Sequence, residues 1–343
     1  MSFRLIDGVV RGDNQGRERF YDSRGYGRPH DGGIALAPVE AAHLLFRGDI
    51  TSIEREDGTP VGFSGLLAST AVSEVAFFVY KNLRDRGFYL SPEPNSDEFV
   101  VYPRGNGPWD EAVAYRVRPQ SERTDITADA LCGLADRTRR EDATGVLAVV
   151  DEESEVTYLE LDESAVTGET THSLSPVSGT LLSDRVLVSN PPETLYNRAF
   201  YGQQLSADHV QLSLVEAAHL GAQNLLGLDT TDNPVETLTA RGRAVEGQRF
   251  DRRLRVYTAL REAGLVPKTG FKFGADFRTY ADVDSVDTLG HSELLIRVLP
   301  ADHRFEPRDL ALDVRLAHGV RKRMVFALVG EELRWLSVGR LTP

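Results

Sequence analysis

One cysteine in 343 residues, Cys132, excludes an intramolecular disulfide framework and any zinc cluster built on cysteine ligands. No apolar stretch approaches the roughly 18 residues of a membrane-spanning helix. The densest runs, AVSEVAFFVY and RMVFALVG, have the length of strands or core segments. The opening residues, MSFRLIDGVVRGDN, are too polar for a secretory signal, so a soluble, cytoplasmic protein with no membrane partner is expected. Lysine is the other scarcity. It occurs only at Lys81, Lys268, Lys272 and Lys322, which leaves arginine as 35 of the 39 basic side chains against 52 acidic ones.

What is present narrows the class further. A net charge of −13 with almost no lysine is the composition expected of a cytosol at molar salt, where the Debye length falls to about 3 Å. An ordinary acidic protein from a GC-rich genome is the alternative. Such a charge normally argues against a nucleic-acid partner. In molar salt, however, phosphate attraction contributes little, and a binder would lean on stacking and hydrogen bonds. The length suggests two or more domains, and 41% apolar residues with 15 Phe suggest folded ones.

The chain repeats itself. VEAAHL at Val39 returns at Val215, an offset of 176, and the VY··LR··G pattern around Tyr80 returns around Tyr257 at 177. GYG from Gly25 aligns with FYG from Phe200, EAVAYRVRP from Glu111 with SELLIRVLP from Ser292, and VLAVVDEESEVTYLEL with VFALVGEELRWLSV, so the offsets run from 175 to 181. Ordered identities of this kind indicate a tandem duplication joined near TGETTHSLSPVSG. Each copy reads as α+β: a small helical and strand subdomain followed by a mixed-sheet subdomain. The expected divisions are 1–75, 76–168, 176–248 and 249–343. Ser213 with Glu216 forms a capping box ahead of LVEAAHL, whereas the first copy places Pro38 at the first helical position. A helix from about Pro307 buries Leu310, Val314 and Ala317 and is expected to stop at Gly319.

Common chemical signatures are missing. There is no P-loop, no H-E-x-x-H, no paired His/Cys ligand spacing and no distinguishable carboxylate set, so neither a metal nor another cofactor is expected. Comparing the copies says more. Tyr280 aligns with Tyr102, but His291 falls opposite Asp110 and Lys322 opposite Ala143. The second copy therefore holds a Tyr, a His and a Lys where the first keeps only the Tyr. Each alone reads as packing or surface; together, with Lys322 one of only four lysines, they read as a site.

On YTALREAGLVPKTGFKFGADFRTY, His291-Ser292 and the run RLAHGVRK ending at Lys322, the second half resembles the catalytic subunit of archaeal tRNA-splicing endonucleases. AFYGQQ…LSLVEAAHL resembles the helical N-terminal subdomain of that family. The whole chain is similar to its tandem, homodimeric branch, with a haloarchaea-like composition, which implies nuclease-like subdomains at 76–168 and 249–343, the former a degenerate, non-catalytic copy of the latter. The resemblance implies a tRNA-intron endonuclease with Tyr280, His291 and Lys322 as catalytic triad. It implies Arg315 and Arg340 as arginines that sandwich a bulged base, with Arg334 a competitor for Arg340. It also implies that the acidic loop Asp151-Glu152-Glu153 enters a polar groove of the other chain of a homodimer.

The implied substrate is precursor tRNA with a bulge-helix-bulge motif, cut without metal by its own 2′-OH to leave 2′,3′-cyclic phosphate and 5′-OH ends. Such a reaction needs a base, an acid and a cation. Imidazole can donate near neutral pH and lysine is a point charge, whereas a phenol, ordinarily near about 10, needs nearby cations to serve as base and otherwise orients the hydroxyl. A non-catalytic RNA-binding protein and a metal-dependent nuclease are the alternatives.

Overall fold

The computed structural model describes residues 1–94, 96–163 and 165–343, which form two compact units. The first comprises Met1–Asp162 with Arg304–Leu312 and Gly339–Pro343; the second comprises Glu163–His303 with Asp313–Val338.

The first unit begins with β1 (Phe3–Ile6) and β2 (Val9–Gly12), a hairpin turned by Asp7 and Gly8, both at positive φ. That pair of left-handed residues is what a two-residue turn between twisted strands requires. With β3 (Arg28–His30), β4 (Gly33–Leu36), β5 (Ile53–Glu54) and β6 (Pro60–Val61) it forms a sheet of order β3-β4-β2-β1-β5-β6. The helices Pro38–Phe46 and Glu74–Asp85 bury Leu44, Phe77, Tyr80 and Leu83 in its core. There follow β7 (Leu90–Pro92), β8 (Phe99–Val101), β9 (Tyr115–Ser121), the short β10 (Ile126–Thr127), the helix Ala128–Arg140, β11 (Thr144–Val150) and β12 (Val156–Glu163). The sheet order is β12-β11-β9-β8-β7, with β9 and β11 parallel on either side of the helical crossover.

The second unit repeats this plan. β13 (Val177–Leu181), β14 (Arg185–Ser189), β15 (Gln203–Ser206), β16 (His209–Ser213) and β17 (Leu226–Leu228) form a sheet of order β15-β16-β14-β13-β17. The helices Leu214–Ala222, Pro234–Glu246 and Gln248–Glu262 lead to β18 (Val266–Thr269), β19 (Phe277–Tyr280) and β20 (Leu294–Pro300). β21 (Arg304–Phe305) belongs to the first unit, where it pairs with β10. The helix Pro307–Gly319, β22 (Arg323–Val329) and β23 (Leu333–Leu341) end the chain, and β18-β19-β20-β22-β23 is the strand order. The fold is α+β and duplicated. No helix among the described residues is long and apolar enough to cross a membrane.

The strand ladders correct the register of the repeat. Val101 pairs with Tyr115, and Tyr115 with Thr144, as Thr279 pairs with Leu294 and Leu294 with Arg323. The β9 and β20 segments therefore correspond at an offset of 179 (294 against 115), not 181. Counted from either neighbouring strand, the position opposite His291 is Ala112 or Val113 rather than Asp110; Asp110 instead accepts the Gly107 N–H at 2.8 Å within its own turn. Ala143 does stand opposite Lys322, one residue before the strand in each copy.

Helix ends follow local chemistry, with one exception. Glu216 N–H donates to Ser213 Oγ and Ser213 N–H to the Glu216 carboxylate, so the capping box is formed. Pro38 occupies the first turn in the first copy, yet Glu40 still reaches back to the Ala37 N–H at 2.8 Å. Leu310, Val314 and Ala317 are buried as their spacing predicts. The helix Pro307–Gly319 ends where expected, but Gly319 is not the left-handed residue. Arg321 is, at φ 56°, with its N–H on His318 O and the Lys322 N–H on Ala317 O. This paired closure is a Schellman ending.

The two copies differ at one buried carboxylate. Glu216 Oε1 accepts the Gly202 N–H at 2.9 Å and the Lys268 ammonium at 3.1 Å. Burial raises its pKa, but Lys268 and the N–H groups of Ser213 and Gly202 bring it below the ordinary value. Glu40 Oε1 accepts the Gly27 N–H at 2.7 Å in the same way. Ser91, however, stands where Lys268 would be, since Ser91 pairs with Val100 as Lys268 pairs with Arg278. Without the ammonium, burial holds the Glu40 carboxyl up at about 7 from an ordinary 4.5.

Across that window the unfolded chain releases a proton that the folded chain keeps. Folding stability therefore falls as pH rises through it, by about 3 kcal/mol in total. Ser91 opens on a cavity of about 640 Å³ that Glu40 and Gly27 also line, so a longer side chain has room. Ser91→Lys should hold Glu40 ionised and flatten the fall. Melting curves in molar KCl should show the gap between variant and parent widening as pH rises from about 5 to about 8.

Candidate active site

Tyr280 ends β19, His291 lies three residues before β20, and Lys322 immediately precedes β22. Antiparallel β19–β20 and parallel β20–β22 pairing bring these three strand termini to one edge of the sheet. Glu293 locks them there. Its N–H donates to Thr279 O at 3.0 Å, and its carbonyl accepts the Arg323 N–H at 3.1 Å. The Lys322 side chain returns to the same segment, its ammonium donating to the carbonyl of Ser292, the residue after His291. Tyr280 is 7% exposed and packs on Phe200 with ring centroids 5.8 Å apart, while His291 is exposed. A buried phenol, an exposed imidazole and an ammonium on one rim can serve two proton transfers and one developing negative charge.

The rim is cationic in an acidic chain. Lys81 and Lys268 each pair with a carboxylate, Asp85 and Glu216. Among the described residues, Lys272, Lys322 and Arg278 have no carboxylate partner. Arg278 lies over the Tyr280 ring at 5.8 Å, and its Nε is buried without a hydrogen-bond partner. Partial burial lowers the Lys322 pKa, and the charges of Arg278 and Lys272 lower it further. Sequence reasoning missed Arg278 and Lys272. Lysine scarcity was a usable signal, because half of the four lysines are at this rim. Among the described residues no three His, Cys, Asp or Glu side chains are grouped to hold a metal ion.

The same edge of the first copy lacks these groups. Tyr102 remains, its hydroxyl on Ser91 Oγ at 3.1 Å, but Ala143 and Ala112 or Val113 stand at the other two positions.

Arg315 is exposed on the part of the helix Pro307–Gly319 that belongs to the second unit, and Arg340 is exposed on the part of β23 that belongs to the first. Arg334 is held bidentately by Glu163 at 2.6 and 2.8 Å, which leaves its guanidinium less available than that of Arg340. Asp151, Glu152 and Glu153 form the turn between β11 and β12. The Asp151 carboxylate accepts the N–H groups of Glu153 and Glu155 at 3.0 and 2.8 Å, and Glu152 pairs with Arg123. The turn borders a polar recess of about 550 Å³ that Arg308 and Glu306 also line.

Residues 74–158 and 250–335 match the family described as tRNA intron endonuclease, catalytic C-terminal domain, and residues 1–67 and 177–238 match its N-terminal domain. The chain is 59% identical to the tRNA-splicing endonuclease of Haloarcula marismortui and 56% identical to that of Natronomonas pharaonis, over the full length of each. It is 36% identical to the tRNA-splicing endonuclease of Methanococcoides burtonii over 99% of both chains.

The rim electrostatics can be measured directly, because four lysines give four resolvable signals after reductive ¹³C-methylation. In molar KCl the Lys322 signal should titrate below the ordinary lysine range. Arg278→Gln should raise its midpoint by removing a repelling charge, and should raise that of Lys268 as well, since Arg278 also opposes that ammonium. Unmoved midpoints would show that the guanidinium does not act on the rim.

Proposed function

Because the chain belongs to the tRNA intron endonuclease family, we propose that it excises introns from precursor tRNA at bulge-helix-bulge sites, using Tyr280, His291 and Lys322 as catalytic residues. The observation that supports this reading is that strand pairing brings the segments carrying three chemically distinct side chains to one sheet edge of the second copy, against a single retained Tyr in the first.

RNA carries its nucleophile. The 2′-oxygen attacks phosphorus as its proton passes to a base, the bond to the 5′-oxygen breaks, and that oxygen takes a proton from an acid. The products are a 2′,3′-cyclic phosphate and a 5′-hydroxyl. His291, exposed at the rim, is the acid that protonates the departing oxygen. Lys322, anchored at both its backbone and its ammonium, meets the charge that develops on the phosphoryl oxygens. Tyr280, with Arg278 over its ring, takes or orients the 2′-hydroxyl proton. No step calls for a metal or another cofactor. Arg315 and Arg340 offer guanidinium planes for bulged bases, which stack as well as carry charge.

Two cuts release an intron, and one active copy per chain supplies two in a homodimer. The acidic turn Asp151–Glu153, preformed by its own backbone hydrogen bonds, is the proposed contact with the other chain.

His291→Ala should lower the cleavage rate about 10²–10⁴-fold while precursor binding stays near that of the parent. Incubation with and without a chelator should leave the parent's rate unchanged. Equal losses of binding and cutting would make His291 structural. Binding without any cutting by the parent would make the protein an RNA binder, and chelator sensitivity would make it a metal-dependent nuclease.

Asp151→Arg with Glu152→Arg tests the assembly, since like charges in a partly desolvated contact cost several kcal/mol. In molar KCl, with circular dichroism confirming the fold, light scattering should report monomers, or cleavage should fail in a dimer. An active dimer would leave the turn as surface.

A further inference from the structure

Phe271 is 88% exposed, the most exposed large apolar side chain among the described residues. It does not stand on a frayed loop. The turn that joins β18 to β19 is closed by the Phe273 N–H on Gly270 O at 2.8 Å, the Gly274 N–H on Phe271 O at 3.1 Å and the Ala275 N–H on Gly270 O at 3.3 Å. Gly274 supplies the left-handed residue at φ 70°, and a Cβ on Gly270 would come within 2.8 Å of Ala275 O. The ring is thus presented to solvent by a fixed backbone.

The turn also reaches the rim. Its other aromatic, Phe273, lies 4.8 Å from the Lys272 ammonium and 5.7 Å from that of Lys322. The turn therefore sets the open ring of Phe271 two residues from an aromatic that borders two lysines without carboxylate partners, next to the candidate active site.

We propose that Phe271 is a stacking platform for an unpaired base of the RNA substrate beside the scissile phosphate, with Lys272 meeting the phosphate of that nucleotide. This deepens the endonuclease reading and rests on it. Stacking suits this chain because every base offers a π-face and the contact survives salt, whereas phosphate attraction fades at molar ionic strength. The family's bulged bases are assigned to Arg315 and Arg340; Phe271 would hold a separate nucleotide, on the β18–β19 side of the rim.

The test compares Phe271→Ala, Phe271→Leu and Phe271→Trp in the full chain in molar KCl, using single-turnover cleavage of an intron-containing tRNA precursor over a range of protein concentrations. Phe271→Ala should raise the half-saturating concentration about 5- to 100-fold and leave the limiting rate within a few-fold of the parent. Phe271→Trp should restore affinity, and Phe271→Leu should not. Melting temperatures should be unaltered, since the ring is exposed. Equal affinity in parent and Phe271→Ala overturns the proposal. So does full rescue by leucine, which would indicate a merely apolar contact, or a lower particle mass for Phe271→Ala, which would place the ring between chains. In any of these cases the parent still cuts, and the endonuclease reading stands. If the parent leaves the precursor uncut, that reading falls and takes this inference with it.

Discussion

Two backbone hydrogen bonds on Glu293 hold together the strand ends that carry Tyr280 and Lys322. One ties β20 to the end of β19, the other to the start of β22, and Tyr280 and Lys322 each sit within one residue of those bonds. Sheet pairing of this kind fixes side-chain origins more tightly than any loop, since a one-residue slip would turn every neighbour to the opposite face. The Schellman ending of the helix Pro307–Gly319 adds a second constraint on Lys322, whose N–H is bonded to Ala317 O before its side chain is considered. A side chain held from its backbone and again at its ammonium loses little further entropy when a phosphate arrives, so the proposed charge contact is largely preorganised.

Against that frame, charge is used locally. The chain carries −13 overall, yet Lys272, Arg278 and Lys322 cluster with no carboxylate partner among the described residues. Acidic residues elsewhere pair with arginine, as Glu152 does with Arg123 and Glu163 with Arg334. At molar ionic strength the reach of a charge through solvent is about 3 Å, so exposed cations act on little beyond what they touch, while partly buried ones are screened less. Distant surface charge then matters little to an anionic substrate, and recognition falls to contact groups such as guanidinium planes and rings.

Much of this was legible in the sequence. The duplication, the strand RMVFALVG, the Ser213–Glu216 capping box and the buried face of Leu310, Val314 and Ala317 follow from repeat and period, because those signals are local. Contacts between residues far apart in the chain were not legible. The Glu216–Lys268 pair joins positions 52 residues apart, and its loss at Glu40 shows only when Ser91 is seen across from Val100. The register of β9 against β20 was misread by two residues. Period-2 patterns survive such a shift with the same face inward, and only the ladder resolves it. Glycine propensity marks the helix stop at Gly319, but the reversal itself falls on Arg321, which only the Schellman hydrogen bonds reveal.

The reversal at Arg321 has a counterpart. Asp142 adopts φ 55° at the same point of the first copy, again followed by a backbone bond from Ala143 N to Thr138 O. A residue with a Cβ in this conformation forfeits about 1 kcal/mol that glycine would not. Both copies carry that penalty, although only one has the lysine that follows. The strain is therefore a tax levied by the helix-to-strand joint rather than an investment in reactivity. By the same reasoning, the joint belongs to the scaffold that both copies share, whichever residue follows it.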